Sequence, residues 1–163
     1  MKSLAHRVMM MIGRGTVSAV DDSTQAQELQ IELLADEVHD RVERAEDYGL
    51  SSVPLPGAEV VTVSVHGLRS HQIAIRVIDR RHRPKAMQPG EVTMHDDQGQ
   101  IVMLKRDGIM IKTPFKVTVE APQVIVTSDD INLGEMGGKK VARVGDHVVG
   151  GVITEGSDKV KAA

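Results

Sequence analysis

The chain has no cysteine and no tryptophan, and only one tyrosine and one phenylalanine in 163 residues. Without cysteine there is no disulfide framework and no thiol chemistry, a composition compatible with assembly in a reducing cytoplasm. With so few rings, the apolar load falls on Val, Ile, Leu, Ala and nine Met. A thin core around an axis has room for branched aliphatics and little for rings, so this bias suits a fibre. No apolar run approaches the roughly 20 residues needed to span a bilayer. Nor does the start read as a signal peptide, because Lys2 is followed by a helix-like pattern rather than an apolar stretch and a small-residue cleavage site. A soluble product made in the cytosol is expected. The formal net charge of −3 provides no global attraction to nucleic acid or to an anionic membrane. There is no Gly-x-Ser-x-Gly elbow, no His-Glu-x-x-His and no Walker loop, and the scattered Asp and Glu read as solvated turn and strand residues. No enzymatic role is expected.

What is present is a long β-periodic stretch from Gly90 to Gly134. Taken every second residue, Ile101 and Met103, then Ile109 and Ile111, then Phe115, Val117 and Val119 form one odd-numbered apolar series. The pieces echo one another: Ile109-x-Ile111-x-Thr113-Pro114, Val117-x-Val119-x-Ala121-Pro122, Val124-x-Val126 and Ile131-x-Leu133-Gly134. A repeat of roughly seven to eight residues suits one rung of a β-helix or fibre. A single ribbon of this kind has an apolar side with no second layer and edges of unpaired backbone. Three identical ribbons wound about one axis remove the edges and enclose the apolar side. The stretch therefore reads as the shaft of an obligate homo-oligomer, a homotrimer, with Val117 and Val119 toward the axis and Lys112 and Lys116 outward. The competing reading is a β-sandwich monomer, which the shortage of aromatics and long turns disfavours.

Ahead of the shaft, Leu4, Val8 and Ile12 recur at intervals of four, which predicts a short helix stopped by Gly13. From Arg14 to Ile78 the pattern is β-rich. Strands are expected at Thr16–Val20, around Leu29, Ile31 and Leu33, at Glu59–Val65 and at Gln72–Ile78, the last two as a hairpin. Four or five strands with one Pro- and Gly-interrupted loop, Tyr48 to Gly57, fit a small OB-like barrel. A basic cluster, Arg80-Arg81-His82-Arg83, then leads into a polar linker. Beside such a barrel it raises single-stranded nucleic acid binding, but the barrel region offers only Tyr48 as a stacking platform. Pairing with carboxylates of a neighbouring chain, or orienting the linker into the shaft, is the preferred reading. After the shaft, Gly137-Gly138, Gly145 and Gly150-Gly151 suggest a tapering end, and Ser157–Ala163 shows no clear pattern.

Several segments together resemble the Mu-type family of phage baseplate spike proteins, also called baseplate assembly protein V. They are Met11-Ile12-Gly13-Arg14-Gly15, Leu34-Ala35-Asp36-Glu37-Val38, Tyr48-Gly49 through Ser52-Val53-Pro54-Leu55-Pro56-Gly57-Ala58-Glu59, Asp79-Arg80-Arg81-His82-Arg83-Pro84 and Pro89-Gly90-Glu91-Val92. The resemblance implies a mainly β homotrimer: a short N-terminal helix (1–13), an OB-fold barrel (14–84), a linker (85–91), an intertwined triple-stranded β-helix shaft (92–134) and a spike tip (135–163). It implies a virion protein at the centre of a contractile-tail baseplate. The barrels would sit among baseplate hub proteins, and the needle would meet the host outer membrane on sheath contraction. The alternative is an OB-fold module that binds single-stranded nucleic acid or a protein partner.

No cofactor is required by this reading, and nucleic acid is not an expected partner. Related spikes hold iron on the three-fold axis through a His-x-His pair near the tip, which leaves His147 as the metal candidate, in three symmetry copies. Here Asp146-His147-Val148-Val149 lacks the second His. Ala142-Arg143-Val144-Gly145-Asp146 with Gly150-Gly151-Val152-Ile153 also resembles the opening of the cone-shaped PAAR-type tip proteins, without their zinc ligands. A separate tip protein is therefore a further expected partner.

Overall fold

The computed structural model describes residues 4–34, 37–134 and 136–162. Ala35 and Asp36 of the Leu34–Val38 segment, and Glu135 at the start of the expected tip, lie outside them. The described residues fall in two compact units, one ending at Lys116 and the other beginning at Val117. The expected shaft of 92–134 is therefore divided between them. Among the described residues no helix is long and apolar enough to cross a membrane.

In the first unit, helix α1 (Leu4–Met9) precedes β1 (Ile12–Asp21). Helix is expected as far as Ile12, but Ile12 pairs with Val63 as the first residue of β1. A ladder partner outweighs the last turn of a marginal helix. β2 (Glu28–Glu32), β3 (Val38–Arg44), β4 (Glu59–Ser64) and β5 (Gln72–Ile78) complete a closed barrel in the order β1-β2-β3-β5-β4. All pairs are antiparallel except β3 with β5. β4 and β5 form the expected hairpin. β3 escapes the sequence pattern because only Val38 and Val42 are apolar in it, and Arg41 lies at φ 53 beside a register shift against β2.

The barrel core consists of Val17, Leu29, Ile31, Leu33, Val42, Ala58, Val60 and Ala74. Large residues from β2 and from β1's middle need small ones opposite them. Gly13, Thr62 and Ala74 supply these as one inward row across β1, β4 and β5. The consequence is an inverted alternation at this wall. Val61 and Val63, the apolar series of β4, point outward, while Thr62 and Ser64 are completely buried. Thr62 Oγ1, Ser64 Oγ and the Gln72 amide are enclosed without a hydrogen-bond partner among the described residues. Outside, Ile12, Val63 and Ile73 stand directly opposite one another, with Ile12 72% exposed.

Beyond the barrel, β6 (Val92–His95), β7 (Ile101–Leu104) and β8 (Ile109–Lys112) form an antiparallel three-stranded sheet. Its register corrects the odd-numbered series. Leu104 pairs with Ile109 and Val102 with Ile111, so odd residues of β8 share a face with even residues of β7. The apolar face is Val92 and Met94, then Val102 and Leu104, then Ile109 and Ile111. Ile101 and Met103 are on the other side, opposite Lys112 and Met110.

Residues 113–130 form no strand pairing. In the second unit, β9 (Ile131–Leu133), β10 (Lys139–Lys140) and β13 (Val160–Ala162) form one sheet, and β11 (Val148–Val149) with β12 (Val152–Ile153) a hairpin. Gly150 and Gly151 both have positive φ, 59° and 79°, as a two-residue hairpin turn of this hand requires. β13 gave no sequence signal because its order comes from distant partners: it runs parallel to β9, with Lys161 joined to Asp130 at 2.5 Å and Lys159 to Asp129 at 3.2 Å.

Candidate functional site

Two arginines of the basic cluster, Arg80 and Arg81, find carboxylates within their own chain, where a neighbour's carboxylates are expected. Arg80 Nε is 2.8 Å from Glu59, which also pairs with Arg14. Arg81 pairs with Asp79 at 2.6 Å and donates to the Pro56 carbonyl at 3.0 Å. The side-chain hydrogen bond from Arg81, reinforced by the Arg81 amide, brings the Asp79 carboxyl down to a pKa of about 2. The Glu59 carboxyl is likewise held below its usual range, chiefly by the hydrogen bond from Arg14. These pairs fasten the 79–83 segment to the barrel at Glu59 and Pro56 and commit Arg80 and Arg81 to intramolecular carboxylates, whereas among the described residues Arg83 donates only to the Pro84 carbonyl.

Nearby, an open cleft of about 640 Å³ is lined by Val53, Leu55, Val77, Ile78, His82 and His95, among others. It holds imidazoles and carboxylates but no assembled nucleophile and base. Ser52, at its rim, accepts a hydrogen bond on its hydroxyl from Arg44 at 2.8 Å. Asp79 is taken by Arg81, and Asp96 closes its own turn by accepting from Gln98 and Gln100.

His147 lies directly before β11 with an exposed side chain. Its Nδ1 is 3.0 Å from Glu155 Oε1, and its carbonyl accepts from the Thr154 amide across the hairpin. Asp146 turns away to Arg143, accepting from the Arg143 amide at 2.6 Å, and this backbone bond is the main cause of its lowered pKa. Among the described residues, no three His, Cys, Asp or Glu side chains converge as a metal-holding group within one chain.

The surface features that dominate are apolar. On the β6–β8 face, Ile109 is 73% and Ile111 64% exposed. The unpaired run carries Phe115, Val117, Val119, Val124, Ile125 and Val126 into solvent. Val119, expected toward an axis, is 70% exposed in the single chain, and Lys112 and Lys116 are exposed as well. The sequence located the apolar run but not the outward row Ile12–Val63–Ile73, because alternation alone does not say which of two faces a barrel encloses.

Comparison with known proteins bears on these surfaces. The family model described as "Bacteriophage Mu Gp45, N-terminal" matches residues 14–81, nearly the span of the barrel. The chain is 39% identical over 134 residues to the "Baseplate puncturing device gp45" of Escherichia phage Mu, covering 77% of this chain and 68% of that protein. It is 34% identical over 128 residues to the "Mu-like prophage FluMu protein gp45" of Haemophilus influenzae, covering 78% of this chain and 70% of that protein.

Proposed function

Since the chain belongs to the bacteriophage Mu Gp45 family of baseplate spike proteins, we propose that it is the central spike of a contractile-tail baseplate and pierces the host outer membrane mechanically when the sheath contracts. The observation that carries this reading is the extent of unpartnered apolar surface on one chain. The sheet face of Val92, Met94, Val102, Leu104, Ile109 and Ile111 and, separately, the apolar residues of the 113–126 run are left uncovered on one chain, as surfaces that meet a partner are. Three copies about one axis bury both and give the unpaired 113–130 backbone strand partners in its neighbours. The five-strand order with a parallel β3–β5 closure supports an OB-fold for the barrel. In this reading residues 14–84 are the base seated among hub proteins, 85–91 the linker, 92–134 the intertwined shaft and 135–163 the front.

No chemistry is assigned to the spike; its work is mechanical. A chain wound with two others cannot unravel without breaking pairing to both, so opening is slow as well as costly. His147 supplies an ion site only if three copies meet on the axis, each presenting Nε2 while Nδ1 stays on Glu155. A separate tip protein on the glycine-rich front would serve the same hardening purpose.

The test is solution mass. The purified protein is expected near three times the 17.7 kDa chain mass by light scattering. A stable folded monomer at micromolar concentration would overturn the architecture and favour a monomeric OB binding module. Peptidoglycan hydrolysis by the purified protein would overturn the mechanical reading.

A further inference from the structure

Tyr48 is the chain's single tyrosine and is fully exposed. It occupies a tight turn, Asp47 to Leu50, closed by the Leu50 amide donating to the Asp47 carbonyl at 3.0 Å, with Gly49 at φ 81°. The turn is anchored on both sides. Arg44 donates to the Ser52 carbonyl and hydroxyl and, at 2.7 Å, to Gln27 Oε1, and it pairs with Glu46 at 3.1 Å. Gln27, only 6% exposed, donates in turn to Asp22 at 2.6 Å and to the Ser52 carbonyl at 3.1 Å. Asp47 reaches across to Arg76 of β5 at 3.2 Å. A loop fastened to the β1–β2 connection and to β5 fixes the backbone from which Tyr48 and the 61%-exposed Leu50 project outward. An aromatic presented in this way loses little freedom on binding, and such residues dominate binding energy where they fill a pocket.

A second feature marks the same end of the barrel. Asp21, Glu28 and Glu43 lie directly opposite one another on β1, β2 and β3. Like charges in register weaken a sheet. Among the described residues, no ion pair or side-chain hydrogen bond reaches Glu28 or Glu43. Asp21 is held by hydrogen bonds from Ser23, but Glu28 and Glu43 gain no such partner from the fold, and a cationic partner would supply one.

We propose that this end of the barrel docks onto another protein of the same baseplate, one presenting an apolar pocket for Tyr48 and Leu50 within a basic rim. The inference rests on the baseplate reading above. A phosphate-rich partner, nucleic acid or anionic lipid, is repelled by the acidic row. In a second copy of this chain Arg14, Arg69, Arg80 and Arg81 are already paired with carboxylates of their own barrel, which leaves it fewer cations for such a rim.

The test uses tails assembled in cells that lack the wild-type chain and are supplied with variants, with copies of the chain per tail counted by quantitative mass spectrometry. The Tyr48→Ala, Leu50→Ala double variant is expected to load at about one tenth of the wild-type level or less, with unchanged oligomer mass and circular dichroism. Glu43→Lys is expected to melt at a higher temperature than wild type yet load less well, a combination that a purely structural role does not produce. A photo-crosslinking residue at position 48 is expected to couple to a different tail protein. Loading of the double variant at the wild-type level would overturn the proposal, as would coupling at position 48 only to another copy of this chain. Absence of the wild-type chain from tails would overturn the baseplate reading itself, and the docking surface with it.

Discussion

Gly15 shows how little room separates β1 from β2. A Cβ there would land on the Glu32 carbonyl and crowd Leu33, whereas a Cβ on Gly13 would meet the Thr62 hydroxyl at 2.5 Å. A backbone carbonyl in a paired strand cannot move aside, while the Thr62 side chain can give by turning about χ1, at the cost a buried β-branched residue imposes. Gly15→Ala is therefore expected to destabilise the barrel by about 2–3 kcal/mol or more, and Gly13→Ala by roughly 1 kcal/mol less than that, measured by denaturant midpoint. Thr62 permits a prediction of opposite sign. Its hydroxyl is enclosed without a partner, so Thr62→Val, which keeps the shape, is expected to stabilise by about 1 kcal/mol. An unchanged or lowered midpoint would mean that the hydroxyl has a partner in solution.

Asp79 makes the residue-scale electrostatics testable. Its folded pKa is about 2, depressed from the usual 3.8 by Arg81. A depressed carboxyl contributes stability that is present above the unfolded pKa and is lost as pH falls from about 3.8 through about 2. Arg81→Ala is expected to return the Asp79 titration toward 3.8 by NMR and to remove part of the acid sensitivity of the melting temperature in that window.

At the scale of elements, parity decides which positions matter in the β6–β8 sheet. The β7–β8 pairing places Leu104 beside Ile109 and Met103 on the reverse side beside Met110. In the proposed trimer Leu104→Asp brings three carboxylates into the sealed face, at a cost of several kcal/mol. Sedimentation is expected to show dissociation for Leu104→Asp and full assembly for Lys112→Asp. Equal tolerance at the two sites would place the sealed face elsewhere. Val119→Asp carries the same expectation further along the chain, with Lys116→Asp as its tolerant counterpart.

For the whole molecule, the two apolar surfaces of the first unit make a common demand. The row Ile12–Val63–Ile73 and the β6–β8 face both leave aliphatic side chains in water while smaller or polar groups fill the barrel wall. A sequence selected for a monomer would place Val61 and Val63 inward rather than Thr62 and Ser64. If the front end acts mechanically, deleting residues 136–163 is expected to leave trimers intact but impair envelope penetration. His147→Ala, which changes one exposed side chain per copy, is expected to leave infection nearly unchanged. Loss of infectivity in His147→Ala particles with normal tails would point to a metal-hardened front.

The barrel hairpin Gln72–Ile78 with Glu59–Ser64, the loop of Tyr48 to Gly57 and the strands beginning at Ile101 and Ile109 were legible from period, breakers and composition, because these are local properties of the chain. Helix was legible only to the point where it met competition, since Ile12 joined β1 once Val63 was there to pair with it. β3 and β13 were not legible. The first depends on a bulge that breaks its period, and the second on partners some thirty residues away. Nor was the fate of Arg80 and Arg81 in the basic cluster, which reached Glu59 and the Pro56 carbonyl only once the barrel had brought them together. Alternation in a sequence separates two faces but does not label them. Which face of β4 turned inward emerged only in the closed barrel, where Thr62 and Ser64 share the interior with Leu29 and Ile31, and which residues of β8 joined those of β7 was decided by the register of one turn.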